Sequence, residues 1–215
     1  MRIVSVQVGT PRTVGTARAT DPMERAFTSA IWKSPVEGPV WAGELGLRGD
    51  AVANTRVHGG PEQAVLMYAE AHYQLWRTEW DRPELGAGAF GENLTVSGLT
   101  EETVCLGDVV VVGQAQLQVT RPREPCATLA RRHQVSGLIA VVRANGRSGW
   151  YLRVLREGEL AAGDPIALID RPHPSWSVRR AGQVMQDRWH RAAEAAELAA
   201  LSALSSGWRK RLATG

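Results

Sequence analysis

Cys126 stands in the run VTRPREPCATLARR, Val119 to Arg132, behind two prolines and two arginines and at what reads as a helix start. A thiolate, not a thiol, is the nucleophile and the soft-metal ligand, and helix starts and nearby cations favour it. Pro125 suits a first helical turn, where its missing N–H would be unpaired anyway. The sequence therefore predicts Cys126 inside that turn, with Arg121 and Arg123 beside it and Glu124 partly opposing them. So placed, Cys126 is an activated, anionic sulfur; the alternative is a small buried hydrophobe, the commoner fate of a free cysteine. Cys105, in EETVCLGDVV, enters an apolar strand with no basic neighbour and reads as buried and inert. A closed zinc site is disfavoured. His133 lies seven residues after Cys126, but no C-x-x-C or H-x-x-x-H pair supplies the remaining ligands.

Other segments offer anion-binding chemistry. In RVHGGPEQAVLMY, His58 precedes Gly59 and Gly60, a pair that permits close backbone approach and N–H donation to a phosphate. In AFGENLTV, Gly91 and Asn93 tolerate left-handed backbone. NGRSGWY offers Arg147 and Ser148 as an oxyanion clamp, and IWKSPV adds Lys33. Each segment alone also reads as an ordinary turn. Together they provide cations, glycine turns and one activated sulfur, the set an anionic ligand with a soft metal requires. No Walker A, G-x-G-x-x-G or G-x-S-x-G element is present, nor a Schiff-base lysine context or an RNA-binding signature.

The elements that must position these residues are mostly short strands. Residues 1–172 are broken by Gly, Pro and Asp, with Gly-Asp at 49–50, 107–108 and 163–164. This is turn chemistry feeding strands and suggests a barrel or curved sheet. GDVVVVGQAQLQVT reads as a hairpin turning at Gly113-Gln114, with Ala115, Leu117 and Val119 on one face and Gln116, Gln118 and Thr120 on the other. AEAHYQLWRTEW spaces Tyr73, Trp76 and Trp80 as a helix does. GLIAVVRANG fits a helix or a strand, while GWYLRVL and DPIALI read as closing strands. Beyond Pro172 and Pro174 the pattern turns helical. Val178, Gly182, Met185 and Trp189 share a face, RAAEAAELAALSAL is a second helix, and SSGWRKRLA makes a third turn or short helix.

With 215 residues, 44% hydrophobic and 22% charged, the chain has an ordinary globular composition with room for one sizeable core and a small appendix. Apolar runs such as Val109 to Val112 are far too short to cross a bilayer, and MRIVSVQVGT lacks a signal-peptide h-region, so no membrane association is expected. Two cysteines make no disulfide framework, and a reducing cytoplasm is the expected location. Residues 171–215 carry eight basic against three acidic residues. This reads as a solvated helical face, not a nucleic-acid anchor.

VHGGPEQAVLMY, FGENLTVSGL, GDVVVVGQAQLQVTRPREPC and GRSGWYLRVLREGELAAGDPI, in this order, resemble the MOSC family (molybdenum cofactor sulfurase C-terminal domain), in its stand-alone bacterial YiiM-like type. The resemblance runs from about Ala30 to Ile169, with a looser match in the tail. It implies a mainly β fold with inserted helices (α+β): a β-barrel-like domain over 1–172 and a three-helix appendix over 173–215. It implies binding of the molybdenum cofactor, a pterin dithiolene bearing molybdenum and a phosphate, with Cys126 as molybdenum ligand. Arg121 and Arg123 match the family's arginine and its neighbour and are expected to face the cofactor's negative groups; His58, Asn93 and Arg147 carry over as further cofactor contacts. The implied chemistry is reduction of N-hydroxylated compounds, such as hydroxylaminopurines, to amines. Electrons would come from a separate reductase, since the chain holds no flavin or iron–sulfur motif. A homodimer is compatible with the sequence. Two alternatives stay open: a sulfur carrier holding a persulfide on Cys126, although the pyridoxal-phosphate domain of the fused sulfurases is absent, and a non-catalytic cofactor-binding module.

Overall fold

A computed structural model describes residues 1–214. The strands are β1 (Arg2–Val8), β2 (Arg12–Val14), β3 (Phe27–Ser29), β4 (Ser34–Pro35), β5 (Val40–Gly43), β6 (Gly46–Leu47), β7 (Val65–Ala69), β8 (Leu94–Ser97), β9 (Val109–Val112), β10 (Ala115–Pro122), β11 (Trp150–Arg156), β12 (Gly158–Leu160) and β13 (Ile166–Asp170). The helices are α1 (Ala71–Trp80), α2 (Ala127–His133), α3 (Leu138–Asn145), α4 (Val178–Gln186), α5 (Ala192–Ala199) and α6 (Ser206–Ala213). The fold is α+β.

Eight strands form one sheet in the order β13-β9-β10-β11-β7-β8-β1-β4, antiparallel except for β7 beside β8. The sheet curls until its ends meet. Ile3 N–H donates to Asp164 O at 2.9 Å, Gly163 N–H to Ile3 O at 2.9 Å and Ile166 N–H to Met1 O at 3.1 Å. The Gly107-Asp108 and Gly163-Asp164 turns lead into β9 and β13 as expected, while Gly49-Asp50 leads into chain without a strand. Gly49, Gly107 and Gly163 all have positive φ. Each following aspartate accepts a nearby amide: Asp50 from Gly9, Asp108 from Cys105 and Asp164 from Ala161.

The predicted hairpin is β9–β10, with Ala115 opposite Val112. Ala115, Leu117 and Val119 are fully buried. Thr120 departs from the alternation because the β10–β11 register shifts between Val119 and Arg121. It is buried, and its hydroxyl donates to Glu62 O at 2.7 Å with Tyr151 O as a second acceptor within reach at 3.1 Å. Such a bulge bends the strand and re-aims the residues beyond it, here the arginines before Cys126. The ambiguous GLIAVVRANG is helix α3, ended by Gly146 in the left-handed region.

Two hydrophobic clusters make the core. The larger fills the barrel and runs without a break into the tail through Val178, Ala181, Val184, Leu198, Trp208 and Leu212. The smaller lies under α1 to α3 and gathers Tyr68, Tyr73, Trp76, Phe90, Leu129 and Leu138. Two expectations are corrected. Trp189 does not belong to the docking face of α4: it is 60% exposed, because the helix stops at Gln186 and the helical spacing no longer applies beyond it. Cys105 is not in a strand and has a basic neighbour. Its amide is held by Asp108 in a turn before β9, and Arg171 pairs with that same carboxylate. The expected burial of Cys105 does hold.

Candidate functional site around Cys126

A cavity of about 530 Å³ opens where the two clusters meet, walled by Ala64 of one and Phe90 of the other. Its size suits a small molecule or cofactor. The walls are formed mainly by β3 and the chain after it to Lys33, the stretch from Asp50 to Gly60, the chain around Gly91 and Asn93, and the start of α2, completed by Leu45, Gln63, Ala64, Leu66 and Tyr151.

Cys126 lines this cavity half-buried. It is the N-cap of α2, not a residue of its first turn: its backbone is extended, φ −121° and ψ 167°, and the helix begins at Ala127. A cap must leave helical φ and ψ, so Pro125 falls before the cap and ends the extended run from β10. Burial pushes the Cys126 thiol up, but the His58 ring, the Arg123 charge and the Leu129 amide outweigh it and bring the pKa down to about 6. At neutral pH the sulfur is mainly thiolate. Burial pushes the Cys105 thiol up, Arg171 offsetting it only in part.

Arg123 is 6% exposed and lines the cavity. Its amide donates to Gly149 O and its Nη2 to Phe90 O, while its Nη1 is buried with no partner. Arg121 stands behind the wall. It donates to Gln63 Oε1 at 2.6 Å and lies 4.8 Å over the Tyr151 ring, and both of those residues line the cavity. Gly59 and Gly60 adopt φ of 75° and 82° and lead into a 3₁₀ turn over Pro61–Gln63. A side chain at Gly59 would press on Val52, so this glycine is needed for space as well as conformation.

Lys33 and Asn93 reach the cavity but share a partner. Lys33 Nζ meets Asp50 at 2.5 Å, and Asn93 Nδ2 donates to Asp50 Oδ2 at 2.8 Å while its Oδ1 accepts the Leu66 amide. Burial lowers the Lys33 pKa against the pull of Asp50. Lys33 therefore contributes an ion pair to the wall, where the sequence suggested a free cation. Arg147 and Ser148 are not brought to the cavity. Arg147 pairs with Glu79 at 2.7 Å and stacks over Trp76, and Ser148 donates to Gly149 O. The positive φ of Gly146 and Gly149 turns this segment toward α1.

Sequence reasoning missed Asp50, Gln63, Phe90 and Tyr151 in the wall. Only Asp50 carried a signal, as the second residue of a Gly-Asp turn. Among the described residues, no three His, Cys, Asp or Glu side chains gather as a metal cage.

The family model for the MOSC domain matches residues 54–167, which include His58, Asn93 and Cys126. The chain belongs to the MOSC domain family. It is 35% identical over 207 residues to YflK of Bacillus subtilis (strain 168), covering 96% of this chain and 90% of YflK. A protein named Reductase from Gibberella moniliformis (strain M3125 / FGSC 7600) is 40% identical over 165 residues, 75% of this chain but 29% of that longer protein. The crystal structure of YiiM from Geobacillus stearothermophilus superposes with a TM-score of 0.82 at 36% identity, covering 99% of this chain and 97% of that one. The MOSC match stops before α4, although the core of this chain does not.

Proposed function

We propose that this MOSC protein binds the molybdenum cofactor in the Cys126 cavity and reduces N-hydroxylated compounds of the hydroxylaminopurine type to amines. The observation that carries the reading is the pairing, on one cavity wall, of a low-pKa thiol with a buried guanidinium nitrogen that lacks a partner. An orphaned buried cationic donor is costly unless an anion meets it. A soft thiolate suits a soft metal. The residues present thus fit a group that is both soft and anionic. The relative named Reductase supports the reaction class.

When bound, the cofactor would supply a metal centre able to exchange two electrons. The chain's own residues hold and orient it. Cys126 would supply its sulfur to the metal. Arg123 would place its charge beside a negative group, and the Gly59–Gly60 backbone allows close approach of a phosphate. Arg121 steadies Gln63 and Tyr151 from behind. His58, beside the sulfur, holds its charge. The overall change is R–NHOH plus two electrons and two protons to R–NH2 and water. The electrons come from a separate reductase protein.

The test begins with protein expressed in a host that makes the cofactor. Molybdenum and pterin are measured, then reduction of an N-hydroxylated base with a reconstituted electron donor. Wild-type protein should carry both and turn over. Cys126→Ser replaces a soft thiolate with a hard hydroxyl and should fold yet lose molybdenum and activity. Cys105→Ser should keep both. Sulfane sulfur on Cys126 without molybdenum would establish the sulfur-carrier reading instead. A folded Cys126→Ser protein with wild-type metal and turnover would sink the proposal.

A further inference from the structure

Helix α6 is docked against two loops that wall the cavity, and it holds each by a carboxylate. The first is Glu62, in the 3₁₀ turn directly after Gly60. Its oxygens accept the Ser206 amide at 3.0 and 2.9 Å and the Ser206 hydroxyl at 2.6 Å. The second is Glu124, between Arg123 and Cys126. It accepts Trp208 Nε1 at 3.1 Å and Arg211 at 2.7 and 3.1 Å, a two-nitrogen grip. Arg121 closes the ring between the loops. It donates to Gln63, lies 3.5 Å from Glu124 and stands 5.9 Å over the Trp208 ring.

These contacts differ from ordinary tail packing in where they land. Trp208 and Leu212 already bury α6 in the shared core. The polar contacts add little burial, but they fall two residues from Gly60 and two residues from Cys126, on two wall segments that meet where His58 bonds the Cys126 sulfur. Neither loop lies in a strand; the barrel holds them at single points, the Arg123 amide on Gly149 O and Glu62 on Thr120 and Arg153. Residues 123–126 lie between β10 and α2, and residues 52–60 carry no strand. A two-nitrogen arginine–carboxylate contact fixes direction as well as distance. A catalytic or binding group set on loops needs such outside support to be held within a fraction of an ångström.

We propose that α6 is a brace fixing how the Gly60 and Cys126 segments of the cavity wall sit relative to each other, with Arg211, Trp208 and Ser206 as positioning residues. That the braced cavity is the cofactor site rests on the function proposed above; the bracing itself does not. The tail is thereby part of the site although, among the described residues, none of its side chains lines the cavity.

The test uses full-length protein and separates the two arms. Arg211→Met removes the fork on Glu124 and leaves only Trp208 and Arg121 on it, and Ser206→Ala weakens the hold on Glu62. Lys210→Met removes the same charge as Arg211→Met from the same helix, without a cavity-side partner, and is the control. Amide hydrogen exchange is measured on cofactor-free protein at one fixed pH. Arg211→Met should speed exchange at residues 123–127 about three-fold and leave 58–63 unchanged, as suits a partly exposed pair. Ser206→Ala should do the reverse. Arg211→Lys keeps the charge without the fork and should restore part of the protection. Molybdenum retained through purification should fall for Arg211→Met and not for Lys210→Met. Faster exchange confined to α6, or uniform across the chain in both variants, would overturn the brace. If even wild-type protein binds no molybdenum, the cofactor reading fails, while the exchange measurements still decide the brace.

Discussion

At the scale of single residues, the contrast between the two cysteines rests on placement. Cys126 caps a helix beside His58 and Arg123, and its thiol sits at about 6. Because only the thiolate is alkylated, labelling of cofactor-free protein should rise through pH 6 and level off near neutrality. Cys105 should label only on unfolding. Equal native rates for the two would contradict the assignment. His133 offers a second check. Burial holds its pKa at about 4, with Arg132 adding to the effect, and the ring nitrogen bonds Ala89 O at 2.9 Å. An unfolded histidine takes its proton near pH 6.5, before the folded one can. The stability His133 confers is therefore complete above that pH and is lost as the pH falls to about 4. The loss should approach about 3 kcal/mol. Urea unfolding of wild type should show this extra decline between pH 7 and 4.5, and a His133→Gln variant should lack it.

Arg123 and Cys126 were legible because proline, arginine and cysteine in a row leave few readings. The pairing of Lys33 with Asp50 was not legible: the two lie on separate segments, and nothing in either motif says that they meet. Arg147 misled for a related reason. A guanidinium in a glycine turn looks like an anion clamp, yet Glu79, on a distant helix, claims it.

At the scale of elements, one glycine fixes how the site's arginine strand leaves the barrel. Gly149 has φ 78°, and a side chain there would strike the Met67 carbonyl of β7. Its own amide is held by Glu101 and its carbonyl accepts the Arg123 amide. Gly149→Ala should cost about 2 kcal/mol or more, since the obstacle is backbone and cannot swing aside. A urea midpoint within error of wild type would refute this. Strands and hairpins were readable from alternation and Gly-Asp turns. The bulge at Thr120 was not, because it arises from pairing with β11, whose register no local pattern encodes. Helix α4 was legible but too long by the residues reaching Trp189. The apolar spacing continued by coincidence after the helix itself had stopped.

At the scale of the molecule, the tail read as an appendix, and the structure makes it continuous with the barrel core. Truncation after Pro172 should thus remove part of one cooperative unit and lower thermal stability sharply. Affinity for duplex nucleic acid should be weak before and after. Tight, salt-steep binding lost on truncation would restore the anchor reading.

The meeting of Met1 and Ile3 with residues 163–166 has a consequence for the order of assembly. That contact closes a loop of most of the chain, and closure entropy grows with loop length by about 0.6 kcal/mol per doubling. During synthesis β1 can pair with β8 once residues 94–97 have emerged, but its other side at Arg2 and Ile3 must wait for 163–166. Through that interval the nascent barrel carries an open strand edge that a neighbouring chain can pair with. Slow elongation across the middle of the gene would lengthen the interval, and the yield of folded protein should fall with it.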